Sequence, residues 1–192
     1  MVRLRLSPVA MALALVAVCA ASLAAAPNIA NVSPRGLRVG QPVTLVITGS
    51  DLGADSRLLS PAKIASQTIK GEAKPDRVEI EVTLDPAVPP GLYPIRLANA
   101  QGISSPVVIG VDSFPQVAFA EQLGELPVAL HGAVGGAQVL RTRLAGKKDQ
   151  RLVLDVEAQR LGATLKPVVR LYDARGKQIA WSPPHPALAR RF

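Results

Sequence analysis

The chain has 192 residues, a formal net charge of +8, 3% aromatic residues, one cysteine and two histidines. The cysteine is Cys19, inside the opening segment, so a chain cut after that segment holds no thiol. Disulfides, thiolate nucleophiles and cysteine-based metal centres are thereby excluded, and so few aromatics offer no evident stacking platform for sugars or bases.

Residues 1–24 read as a cleavable signal peptide. Arg3 and Arg5 form a basic start, Met11–Val18 an apolar centre, and Ser22-Leu23-Ala24 the small-x-small arrangement of a cleavage site. Pro27 disfavours a cut after Ala26, so Ala24 is the predicted last signal residue and Ala25 the first mature one. The apolar centre is shorter than the about 20 residues of a membrane span. Val18, ahead of Cys19, is not the small residue of a lipoprotein signal. The predicted location is secreted, periplasmic or cell-surface, with no stable membrane span after cleavage.

Residues 27–112 read as an Ig-like β-sandwich. Ile29 leads a strand into Ser33-Pro34. In Pro42–Gly49, Val43, Leu45 and Ile47 share one face; in Arg77–Leu84, Val78, Ile80, Val82 and Leu84 do. Such period-two alternation marks half-buried strands. Further β runs span Leu92–Leu97, where Pro94 predicts an edge position or strand end, and Pro106–Val111. Ser33–Gly36, Gly49–Asp51, Asp85-Pro86 and Pro89–Gly91 supply the turns.

Residues 113–126 read as a linker, with Phe114 and Phe119 placed to pin it. Residues 127–192 read as a second β module. Its runs are Val128–Val134, Val139–Leu144, Arg151–Ala158 with Leu152, Leu154 and Val156 on one face, Val168–Asp173 and Gln178–Ser182. Gly176 permits a hairpin between the last two. About five strands can be counted where a jelly roll takes about eight. The module is therefore expected to be incomplete, with the Leu152 face partly uncovered, and to be molten, aggregating or completed by another chain.

The charge is unevenly placed: residues 25–112 hold 8 Lys/Arg and 8 Asp/Glu, residues 127–192 hold 12 and 4. A basic face attracts polyanions. Outside the cytoplasm these are anionic glycans or lipid headgroups, and nucleic acid is not an expected partner. A merely solvated surface is the alternative.

No catalytic constellation is legible. Ser50 is not centred in Gly49-Ser50-Asp51-Leu52-Gly53 and reads as a turn residue. His131 and His185 are isolated, whereas a metal site wants three or four clustered ligands. Asp51 and Asp55 read as a polar turn, because a calcium cage takes six or more oxygens. Gly132–Gly136 lacks the Lys-Ser/Thr of a phosphate loop. No catalytic, cofactor-binding or metal residue is predicted, no cofactor is expected, and the chain is read as a non-enzyme. Trp181 is predicted to plug a core, the alternative being a ring presented to a glycan.

The first module resembles the IPT/TIG branch of Ig-like domains in Ile29–Pro34, Gly36, Gly40, Val43–Gly49, Leu52-Gly53 and Pro90–Pro94. The second resembles the bacterial pre-peptidase C-terminal (PPC) domain, in apparently truncated form, in Lys148–Ala158, Arg160–Gly162 and Leu165–Gly176. Together these imply an all-β chain: an Ig-like β-sandwich, then a partial jelly-roll-like β-sandwich. The PPC resemblance implies a domain appended to secreted peptidases and other large exported proteins, serving secretion, solubility or attachment. The implied role is an exported scaffold or attachment module with a protein or cell-surface glycan as partner. The alternatives are an accessory region of a larger secreted peptidase or other hydrolase, and binding of an anionic glycan or cell-surface polymer through the basic module. Gln138, Leu140 and Thr142 stand where relatives carry Asp and aromatics, and Ser182–Pro186 where they carry an Asp pair, so no calcium site is implied.

Overall fold

The computed structural model describes residues 25–147 and 149–182. The signal segment with Ala24, Lys148, and the tail from 183 with His185 lie outside the described residues. Nine strands come first: β1 (Asn28–Ser33), β2 (Gly36–Arg38), β3 (Pro42–Ser50), β4 (Arg57–Leu59), β5 (Ile64–Lys74), β6 (Arg77–Leu84), β7 (Gly91–Asn99), β8 (Gly102–Ile103) and β9 (Val107–Asp112). They form a four-stranded sheet, β1-β3-β6-β5, and a five-stranded sheet, β2-β9-β7-β4, with β8 on β7. The pairings are antiparallel except β2 with β9. The first strand thus begins in one sheet and continues, as β2, into the other. This is the strand order of an Ig-like sandwich.

The alternating residues meet between the sheets. Leu45 and Ile47 of β3 and Val78, Ile80, Val82 and Leu84 of β6 pack against Leu37, Leu58, Ile95, Leu97, Ile109 and Val111 of the opposite sheet. All are buried. Each such side chain contributes about 1.5–3 kcal/mol relative to exposure. The Tyr93 hydroxyl, near the start of β7, donates to the Pro89 carbonyl at 2.8 Å. That bond fixes the corner between the two sheets as a tyrosine corner does in Ig-like sandwiches.

Pro94 lies inside β7, a strand flanked by β9 and β4. Its carbonyl accepts from the Ser60 hydroxyl at 3.2 Å, so its nitrogen faces the β4 side too, just beyond the end of β4 at Leu59. No ladder bond is lost there. Gly49 is needed where β1 bulges against β3, since a Cβ would run into the Asn28 carbonyl oxygen.

Four of these strands, β2, β4, β5 and β8, are not marked by the sequence pattern. β5 is an edge strand whose outer residues are charged or hydroxylic, which hides its period. Its Gln67 spans the gap to β4. The Leu58 N–H donates to Gln67 Oε1 at 2.7 Å, and Gln67 Nε2 donates to the Leu58 carbonyl at 3.1 Å. One side-chain amide thus stands in for a neighbouring strand and closes the sandwich edge.

Beyond Asp112 the architecture changes. β10 (Gln116–Ala118), within the stretch read as a linker, pairs in parallel with β11 (Ala129–His131). β12 (Val169–Tyr172) and β13 (Gln178–Ser182) form an antiparallel hairpin. The runs Val139–Leu144 and Arg151–Ala158, predicted as strands, form none. The first makes only a bridge, with Leu123 N–H donating to the Arg143 carbonyl at 2.7 Å and Arg143 N–H to the Glu121 carbonyl at 2.8 Å. The second finds no neighbouring strand among the described residues, and alternation without a partner makes no ladder. No described residue after Asp112 is fully buried.

Candidate functional site

The polar turn residues singled out by sequence are spent on holding loops together. Asp55 Oδ2 accepts from the Ala100 N–H at 2.8 Å, and Asn99 Nδ2 donates to the Asp51 carbonyl at 2.8 Å. These bonds tie the β3–β4 loop to the β7–β8 turn. Ser50 ends β3 in an exposed position. Among the described residues, no three His, Cys, Asp or Glu side chains gather to hold a metal.

His131 is drawn into a junction at the foot of the sandwich. Its Nε2 donates to Gln116 Oε1, and Gln116 Nε2 donates to Asp112 Oδ1 at 2.8 Å and to the Phe114 carbonyl at 3.0 Å. Because the Gln116 amide nitrogen is committed as donor, its oxygen must accept and His131 carries the Nε2 proton. Burial pushes the imidazole below its usual range, and the Asp112 carboxylate pulls it part-way back. The amide stands between imidazole and carboxylate, so the two do not bond directly, and the array links β10 and β11 to the end of β9. Gly36 leaves room for it: a Cβ there would meet Gln116 Oε1, and would lie 2.7 Å from His131 Cε1. Nearby, Arg35 Nη1 donates to the Leu161 carbonyl at 2.7 Å. Arg38 Nε donates to the Ser113 carbonyl at 3.1 Å. Among the described residues, polar clasps without a shared apolar core hold the later segment to the sandwich.

The β12–β13 hairpin carries the feature most suited to recognition. Arg170 stands directly across from Trp181, and Leu171 across from Ala180. A bulge then sets Tyr172 opposite Gln178. Val169, Leu171 and Ala180 are half-buried, while Arg170, Tyr172 and Trp181 lie on the exposed side. Trp181 is 55% exposed, Tyr172 49% and Ile179 58%. The predicted core position of Trp181 is corrected here: no second layer covers this face among the described residues. Arg170 and Tyr172 escaped the sequence reading, although two-residue spacing ahead of a Gly-containing turn places them on one side.

The turn is built by Asp173. Its carboxylate accepts from the N–H groups of Arg175 and Lys177, both at 2.9 Å, and its own N–H donates to the Lys177 carbonyl at 2.9 Å. Gly176, at φ 82°, takes the left-handed position. The one acidic side chain of the hairpin is therefore committed to backbone.

No family model matches the chain, and no curated protein matches it. A solved structure of SGBP-B from the mixed-linkage glucan utilization locus of Bacteroides ovatus, in complex with a mixed-linkage heptasaccharide, is similar at 22% identity and a TM-score of 0.35. The match covers 50% of this chain and 25% of that one, so this chain spans about a quarter of that protein's length. No helix among the described residues is long and apolar enough to cross a membrane.

Proposed function

We propose that the protein is an exported, non-catalytic attachment module. Its Ig-like sandwich acts as the spacer, and its β12–β13 hairpin holds a glycan outside the cytoplasm. The observation that carries this reading is the exposed face on which Trp181 lies opposite Arg170 with Tyr172 alongside. Indole and phenol rings offer flat apolar surfaces with a polar tip, the combination that suits a pyranose ring's C–H face and hydroxyl rim. A guanidinium across the ladder from an indole adds a planar set of hydrogen-bond donors beside the ring, suited to sugar hydroxyls or carboxylates. The reading takes residues 1–24 as a signal peptide, the first module as IPT/TIG-like, and the second as a PPC-type attachment domain.

Two measurements test it. N-terminal sequencing of the exported form should begin at Ala25, and an intact Met1 on exported material would refute export by cleavage. On a glycan array the full chain should be retained without degrading what it binds. Trp181→Ala should weaken retention about tenfold, equivalent to about 1.4 kcal/mol. Absence of retention on every glycan, or release of cleaved sugar, would overturn the attachment role.

A further inference from the structure

We infer that the ligand of the β12–β13 face is an acidic polysaccharide, with anionic groups repeating along the chain; this rests on the glycan reading above. The charges of the hairpin decide the class. Arg170 sits on the aromatic face, and Arg175 and Lys177 sit exposed at the turn. None of the three makes an ion pair among the described residues, whereas Lys63, Lys70, Arg77 and Arg160 each hold an acidic partner. The nearest acid, Asp173, accepts from two backbone N–H groups through Oδ1 and makes no ion pair with these side chains, and its one negative charge against three positive ones leaves the hairpin cationic.

The positions of Arg170 and the turn cations also favour an extended anion over a compact one. From Arg170 to the turn at Asp173 is three residues, about 10 Å at about 3.4 Å each in an antiparallel strand. Cations strung along a ribbon do not converge on one phosphate. They match charges that recur at intervals on a polymer, with the rings of Tyr172 and Trp181 beside the same line. A guanidinium forms paired hydrogen bonds with carboxylate, so a uronate-bearing chain satisfies both the Arg170 charge and the neighbouring ring. Attraction of this kind, at an exposed surface, weakens as salt rises.

The test is affinity electrophoresis and titration calorimetry on the full chain at about 0.15 M salt, where screening acts over about 8 Å. The probes are polygalacturonate, its fully methyl-esterified and thus uncharged form, and polyphosphate of matched charge. Polygalacturonate should bind, with the methyl ester and polyphosphate each at least tenfold weaker. Arg170→Gln should cost at least threefold and Arg170→Lys less. The pair Arg175→Gln and Lys177→Gln should flatten the salt dependence. These side chains are exposed, and unchanged far-UV circular dichroism checks that each variant folds. Equal binding of the methyl ester, still lost in Trp181→Ala, would overturn the acidic ligand and leave the glycan reading standing. Polyphosphate binding as tight as polygalacturonate and indifferent to Trp181→Ala would overturn both, leaving a charged surface only.

Discussion

On β6, Val78, Ile80, Val82 and Leu84 alternate inward and all four are buried. In residues 151–158, Leu152, Leu154 and Val156 alternate as strictly, yet Leu152 and Leu154 are half-buried and Val156 is 45% exposed. The difference lies in the neighbours. β6 is hydrogen-bonded on both sides, to β3 and β5, and faces a second sheet. The later segment has no partner strand among the described residues. Period-two alternation states which face a segment can bury; a ladder and an opposing layer decide whether it does.

The largest effect that separates the two regions is a core truncation. Ile80→Ala should destabilise the sandwich by about 2–5 kcal/mol, because the cavity adds to the lost transfer energy. Leu152→Ala, in a half-buried site without a close-packed shell, should cost less than about 1 kcal/mol. Urea denaturation followed by circular dichroism measures both. Comparable losses would mean that the later segment has a core of its own. Amide exchange sharpens the contrast: protection in β6 should exceed that in residues 150–158 by orders of magnitude, since local opening tracks missing buried contacts.

A smaller effect is expected at the sandwich edge. Gln67 satisfies the Leu58 N–H and carbonyl together. Gln67→Ala leaves both without a protein partner, at a cost of about 1–3 kcal/mol. Gln67→Glu keeps an acceptor for the N–H but loses the donor, so it should fall between wild type and Ala. A Gln67→Ala protein with an unchanged urea midpoint would show that water replaces the amide at no cost. The edge would then be open rather than closed.

What the sequence discloses follows from where the information is local. β3 and β6 are visible because their facing residues alternate without interruption, and the Ala174–Lys177 hairpin because Gly176 marks its turn. β2 and β4 are only three residues each, too short for a period, and exist because β9 and β7 offer them ladders. Trp181 was misplaced because its burial depends on a covering layer, a property of tertiary neighbours and not of the residues around it. Gln67 and Gln116 are invisible for the same reason. Each is an unremarkable glutamine until β4 or His131 arrives from elsewhere in the chain.

The smallest effect is a pH dependence confined to the junction. The half-buried His131 imidazole binds a proton less readily than it would in the unfolded chain. Below the unfolded pKa of about 6.5, therefore, the unfolded or undocked form takes up the proton first. The junction's contribution is intact above that value and is lost as pH falls through the depressed folded pKa. The imidazolium keeps its Nε2–H, so the bond to Gln116 survives protonation; the penalty comes from placing a charge in a half-buried site. Asp112, the charged neighbour that reaches His131 through Gln116, offsets part of it. The net effect is the part of the burial penalty that Asp112 leaves uncompensated, and it is expected to be smaller than the losses at Ile80 and Gln67. Proton NMR of the full chain, with His131→Gln assigning the resonance, should place the His131 midpoint below about 6.5. Amide protection of β10 and β11, corrected for intrinsic exchange, should drop between pH values above and below that midpoint, while β6 stays unchanged. A midpoint at or above the ordinary value, or equal loss of protection in β6, would mean that the junction does not separate from the sandwich on acidification.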